Sequence, residues 1–160
     1  MTGNDFLKLT RKLVFAMLPT SGTRTRWIYK HKNLFKHIGE NLFFQPRNFP
    51  DQPELISIGN NVKIASGVVF VNHDIIHTML NDKFKENKFK PFVAPIKIDD
   101  NVMIGANTMI MPNVHICSDV IIAAGSIISK NIDLPGVWGG IPAKHIKSIE
   151  EFIAKRLKEQ

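Results

Sequence analysis

Residues 98–132 read IDDNVMIGANTMIMPNVHICSDVIIAAGSIISKNI, and isoleucine recurs through them in strict steps of six: Ile98, Ile104, Ile110, Ile116, Ile122 and Ile128. Four places after each stand Val102, Thr108, Val114, Val120, Ser126 and Ile132. A helix repeats near 3.6 residues and a strand at 2, so neither alone produces a period of six. A chain wound round a three-sided coil does, because each flat side turns one aliphatic residue inward. Such a repeat is a parallel β-helix, with about 18 residues per triangular coil and coils stacked at the ~4.8 Å strand spacing. β-branched residues dominate the run, which also argues against a helix.

The pattern begins earlier, at Ile38-Gly39-Glu40-Asn41-Leu42 and Phe44. Pro46, Pro50 and Pro53 interrupt it, and it resumes at Ile58, Ile64 and Phe70, with Val62 and Val68 at the fourth following place. Residues 38–73 thus supply about two coils and 98–132 about two more. Gly59, Ala65, Gly67, Gly105, Ala106, Ala123, Ala124 and Gly125 suit tight corners. Residues 74–94 break the period. They are polar and carry Lys83, Lys85, Lys88 and Lys90, so they read as a loop leaving the coil. Pro135-Gly136 and Gly139-Gly140 punctuate an exit. Residues 148–158 read as a closing helix, with Ser148 as N-cap, Glu150 and Glu151 in the first turn, and Lys155, Arg156 and Lys158 near the end. The expected organisation is mainly β: a basic helical segment 1–37, a repeat body 38–147 with its excursion at 74–94, and a helix within 148–160.

Residues 4–18 read as an amphipathic helix. Phe6, Leu9, Leu13 and Met17 lie at helical spacing, widened by Val14 and Leu18, with Lys8, Arg11 and Lys12 mostly to one side. Pro19 and Gly22 end it, and a second basic stretch, 24–37, reads as helical. The net charge of +7 belongs to this segment: residues 1–37 hold eight basic side chains against Asp5 alone, and the rest of the chain sums to zero. Three roles stand open for it. It covers the open end of the coil with its apolar face, it rests on an anionic membrane surface, or it attracts an acidic acceptor. Covering the coil is the plainest. No base-reading motif accompanies the charge and the body is neutral, so nucleic acid is not an expected partner.

At 160 residues, 44% hydrophobic and 22% charged, the chain reads as one soluble domain with an appendage. No apolar run approaches the roughly 20 residues needed to span a bilayer. No uninterrupted apolar stretch with a small-residue cleavage site begins the chain, so no secretory signal is expected. Cys117 is the only cysteine, which excludes an intrachain disulfide and fits a reducing compartment. The expectation is a cytoplasmic protein, with a peripheral place at the inner face of the membrane left open by residues 1–37.

Three segments carry chemistry: Phe70-Val71-Asn72-His73-Asp74 before the excursion; Ile104-Gly105-Ala106-Asn107; and Ala123-Ala124-Gly125-Ser126 leading to Gly140-Ile141-Pro142-Ala143-Lys144. Together with the repeat, from about residue 38 to 147, they resemble the hexapeptide-repeat acyltransferases, in particular those acetylating sugars and polysaccharides. The resemblance implies a left-handed coil, an exception to the usual right-handed crossover. It implies transfer of an acetyl group from acetyl-CoA to a hydroxyl of a sugar or cell-surface polysaccharide, without a covalent enzyme intermediate. It implies a homotrimer with active sites between subunits, and no metal.

Within that resemblance His73 matches the general base, a task suited to an imidazole that is mostly neutral near pH 7. Asp74 is a candidate to orient the ring, although neighbours in extended chain point to opposite sides; a backbone carbonyl or a carboxylate of the preceding coil serves equally. His77 reads as a solvated loop histidine. Ala106 and Ala124 match positions that bond the pantetheine arm, where small residues let it approach. Ser129, Lys130, Lys144 and Lys147 match positions near the nucleotide and its phosphates. Trp138 either stacks on the nucleotide or lines the exit strand. Met103 stands where galactoside and maltose acetyltransferases tend to carry tryptophan, which favours a polysaccharide or lipid-linked glycan over a free disaccharide. Other functions remain beside this one: N-acetylation of an amino sugar or amino acid, a non-catalytic scaffold, or a carbonic-anhydrase-like hydratase. The last needs three converging zinc-binding histidines, and the spacing of His73, His77 and His115 does not suit it.

Overall fold

The computed structural model describes residues 3–159. Met1, Thr2 and Gln160, the ends of the segments expected at 1–37 and 148–160, lie outside them. The body is a left-handed parallel β-helix with three sides. Its first side stacks β1 (His37–Ile38), β3 (Ile56–Ile58), β6 (Ile96–Ile98) and β9 (His115–Ile116). The second stacks β2 (Phe43–Phe44), β4 (Lys63–Ile64), β7 (Val102–Ile104) and β10 (Val120–Ile122), followed by β12 (Gly136–Gly140) and β13 (Ala143–Lys147). The third stacks β5 (Val69–Phe70), β8 (Met109–Ile110) and β11 (Ile127–Ile128).

The register explains the period. Ile98 pairs with Ile116, Ile104 with Ile122 and Ile110 with Ile128, eighteen residues apart in each case. All six isoleucines of the run are buried, forming columns that run along the coil axis. Burial of each contributes roughly 1.5–3 kcal/mol. Ile58, Ile64 and Phe70 pair with Ile98, Ile104 and Ile110 at a separation of forty, one coil plus the 22 residues of the excursion.

The corners are turned chiefly by asparagine. Asn41, Asn61, Asn101 and Asp119 all adopt left-handed backbone, with φ of 54° to 61°. They stack into a ladder at the corner between the first and second sides. Asn41 Nδ2 donates to Asn61 Oδ1 at 2.9 Å, Asn61 to Asn101 at 3.0 Å, and Asn101 to Asp119 at 3.0 Å. Asparagine tolerates this conformation better than other side chains, and its carboxamide donates and accepts at once. Asn101→Ala is expected to cost about 1–2 kcal/mol, combining left-handed strain with two lost ladder bonds. Asn101→Gly relieves the strain alone, so equal losses for the two variants in urea melts would assign the cost to the ladder.

The N-terminal end is closed differently from the sequence expectation. Helix α1 (Gly3–Met17) forms, followed by α2 (Ser21–Lys30), which is capped by a Thr20–Thr23 box. Phe15 and Ile28 are fully buried against the end of the coil, and Phe15 packs edge-on to Trp27 at 5.3 Å and Phe44 at 5.8 Å. The apolar row Phe6, Leu9, Leu13 and Met17 does not supply the cover; it is exposed. Phe15 projects from the opposite side of α1, beside Lys12, which pairs with Asp51. That side therefore faces the body.

Two further expectations are corrected. The excursion at 74–94 is not all loop: it holds helix α3 (Ile76–Phe84), closed by Lys85 in left-handed backbone and by Asn81 clamping the backbone of Phe89. The glycines at 136–140 do not leave the coil at once. They form β12, parallel to β10, which then turns back as the antiparallel β13. A side chain on Gly139 would meet Ala123 Cβ at 2.8 Å, so only glycine lets this strand lie so close. Helix α4 (Ile149–Lys158) follows with the Ser148–Glu151 capping box. Among the described residues no helix is long and apolar enough to cross a membrane.

Candidate active site

The coil carries two candidate regions, on different edges. The first is the neck of the excursion. Where the chain leaves the third side, Asn72 O accepts from Ala94 N at 2.8 Å and Asn72 Nδ2 donates to Ala94 O at 3.2 Å. His73 forms an isolated antiparallel bridge with Val93. These contacts fix the backbone on both sides of the histidine. The His73 ring is half-buried and its Nδ1 is buried with no hydrogen-bond partner; Asn72 Oδ1 and His77 Nδ1 share that condition. Buried polar atoms are normally paired, and three orphans within six residues mark a place where polar partners arrive from outside. Asp74 does not bond the His73 ring. Its Oδ1 accepts from Ile76 N at 3.0 Å, starting α3.

The second region lies along the corner between the second and third sides and on the exit strands. Ala106 and Ala124 stack there, with Ala106 O accepting from Gly125 N at 2.7 Å. Gly105 lies against the Ala124 backbone so closely that a Cβ would collide with it, and Ile122 O would stand 2.7 Å away. Ser126 Oγ donates to Ala123 O at 2.6 Å and accepts from Gly140 N at 3.2 Å, tying the corner to the exit strand. Ser129, Lys130 and Lys144 share a groove of about 320 Å³ with Trp138 and Pro142. The lysines are exposed there, and Trp138 is held by donation from its Nε1 to Leu134 O at 3.0 Å. Lys147 is not in this groove. It faces Phe152 and Arg156 of α4 beside Val137.

Within one chain the third side separates these regions: the alanine corner precedes its strands and the His73 neck follows them. Asn72 is the residue the repeat pattern misses. It is 2% exposed, yet nothing in the local sequence tells where the chain returns at Ala94.

Other polar groups have settled structural roles. On the first side Asp99 accepts from His115 Nε2 at 2.7 Å and from Lys97 Nζ at 3.0 Å. Partial burial pushes its carboxyl up, but the bonds from His115 and Lys97 outweigh this and hold it below the usual carboxylate range. The Cys117 thiol is pushed up, by burial first and then by Asp133 and Asp99. That is the opposite of an activated thiolate nucleophile. Among the described residues no group of three or more His, Cys, Asp or Glu is gathered to hold a metal ion.

Residues 95–130 match the family model described as bacterial transferase hexapeptide (six repeats). The chain is 40% identical over 112 residues to Protein CapG of Staphylococcus aureus, a match covering 69% of this chain and 62% of that one. The chain thus spans somewhat under two thirds of this relative. It is 31% identical over 142 residues to the galactoside O-acetyltransferase of Escherichia coli (strain K12), covering 75% of this chain and 67% of that one. A solved galactoside acetyltransferase in complex with coenzyme A has the same fold, with a TM-score of 0.65 at 23% identity over 96% of this chain and 86% of that one. The six-residue period, the eighteen-residue coil and these likenesses agree: the chain belongs to the hexapeptide-repeat acyltransferases.

Proposed function

We propose that the protein transfers an acetyl group from acetyl-CoA to a hydroxyl of a sugar or cell-surface glycan, with His73 as general base. The observation that carries this reading is the His73 neck: a half-buried imidazole on a stapled backbone, with an unpartnered ring nitrogen beside the excursion. His73 takes the proton from the acceptor hydroxyl as the oxygen attacks the thioester carbonyl. The carbon–sulfur bond breaks, and the same proton passes to the departing sulfur, so the histidine ends neutral. No enzyme nucleophile is needed, which suits a chain whose only thiol, that of Cys117, is pushed up by burial and nearby carboxylates. Asp74 acts on α3 and not on the ring; it positions the excursion.

The arm of acetyl-CoA lies along the Ala106–Ala124 corner, and its nucleotide end reaches the groove of Ser129, Lys130 and Lys144. Lys147 assists only at longer range. Since the neck and the corner lie on different edges of one chain, the site is completed by a second copy, in a homotrimer. The outer faces of the second and third sides support this. Phe43, Met103, Val69 and Met109 point outward there and are 37–41% exposed, whereas His37 and Lys97 occupy the outer face of the first side. Outer faces that are mainly apolar on two adjoining sides, with Lys63 between Phe43 and Met103, suit packing round a three-fold axis.

Thiol release from acetyl-CoA across sugars, oligosaccharides, nucleotide sugars, amino sugars and amino acids tests the reading. Acceptor-dependent release with hydroxyl acceptors is the expected result. Release only with amines would replace O- by N-transfer, and no release with any acceptor would favour a scaffold.

A further inference from the structure

Helix α1 is attached to the body by the wrong face for an ordinary packed helix. Phe15 is buried, and Lys8, Arg11 and Lys12 line a groove against Phe49, Asp51 and Glu54. The apolar arc of Phe6, Leu7, Leu9, Leu13, Val14 and Met17 is thereby held outward: Met17 is 80% exposed, Phe6 61% and Leu13 57%. A surface helix normally buries its apolar stripe, and an exposed contiguous patch of this kind marks an interaction surface.

We propose that this face docks onto an anionic lipid surface, with α1 lying in the interface plane. Charge selects that occupant. Residues 1–37 hold eight basic side chains against one acid, and the rest of the chain is neutral; Arg24 is buried and Lys12 pairs with Asp51, which leaves six others to carry the attraction. Two copies meeting face to face through α1 would bring both basic segments together. An anionic leaflet attracts the segment while its acyl boundary takes the apolar arc. Length agrees: fifteen residues extend about 22 Å, short of the ~30 Å hydrocarbon core, so the helix lies on the bilayer and does not span it. The inference stands independently of acetyl transfer. With that activity, it places the enzyme beside acceptors carried on lipids.

The test is flotation of the full-length protein with vesicles of phosphatidylcholine alone and of phosphatidylcholine mixed with phosphatidylglycerol. The protein is expected to float with the anionic vesicles at low salt, not with the neutral ones, and to be released as salt rises. The Leu9→Glu/Met17→Glu double variant changes only outward side chains. It is expected to reduce the bound fraction about tenfold or more, with mass by light scattering and thermal unfolding unchanged. Wild-type binding by the double variant would overturn the proposal, as would equal binding to both vesicle types. A drop in mass on substitution would assign the face to a second copy instead.

Discussion

His73→Ala is expected to lower kcat for acetyl transfer by about a thousandfold while leaving KM for acetyl-CoA within about twofold. The separation follows from geometry. His73 sits in the neck of the excursion, whereas Ser129, Lys130 and Lys144 line a groove on another edge of the chain. Losing the imidazole removes the proposed proton acceptor without touching the groove. The variant should fold, because the neck is held by bonds between Asn72 and Ala94, one from the backbone and one from the Asn72 carboxamide, that do not involve the ring. Steady-state kinetics with an acceptor found in the thiol-release panel, together with a melting curve, checks both halves. Unchanged kcat would remove His73 from the role of base. A loss of kcat accompanied by a lowered melting temperature would point to a structural role.

The second large effect lies in the core. Ile104→Ala is expected to destabilise the protein by about 3–4 kcal/mol, and Ile104→Val by about 1 kcal/mol. Ile104 is fully buried in the second side, between Ile64 of the coil before and Ile122 of the coil after. Truncation opens a cavity that the stacked strands cannot close, because their ~4.8 Å spacing is set by backbone hydrogen bonds. Urea denaturation of the two variants measures both losses. A cost below about 1 kcal/mol for the alanine variant would mean that the columns of isoleucine are not the main cohesive element of the coil.

Some of this was legible in one dimension, and the division follows particular residues. The period of the isoleucines made each coil readable, and so did the length of the interruption at 74–94. The corners were less so. Glycine and alanine drew notice as small residues, yet the left-handed turns rest largely on Asn41, Asn61, Asn101 and Asp119, whose ladder needs coils twenty, forty and eighteen residues apart to be stacked. Helix α1 was visible from its spacing, but not the direction in which it faces. An apolar stripe says that a helix has two sides; which side meets the body depended on Phe15, a single apolar residue on the side opposite the stripe.

The linear order of residues settled the architecture, because inward positions at a constant interval admit only a coil of constant girth. It also drew attention to His73, which stands at a break in so regular a pattern and matches the base of the family the chain resembles. Three-dimensional packing alone settled the rest: that Asn72 and Ala94 clamp the neck, that Asp74 serves α3, that Lys147 leaves the groove of Lys144, and that α1 turns its apolar face outward. Each depends on contacts between segments whose separation carries no regular interval, and a pattern read along the chain has no term for them.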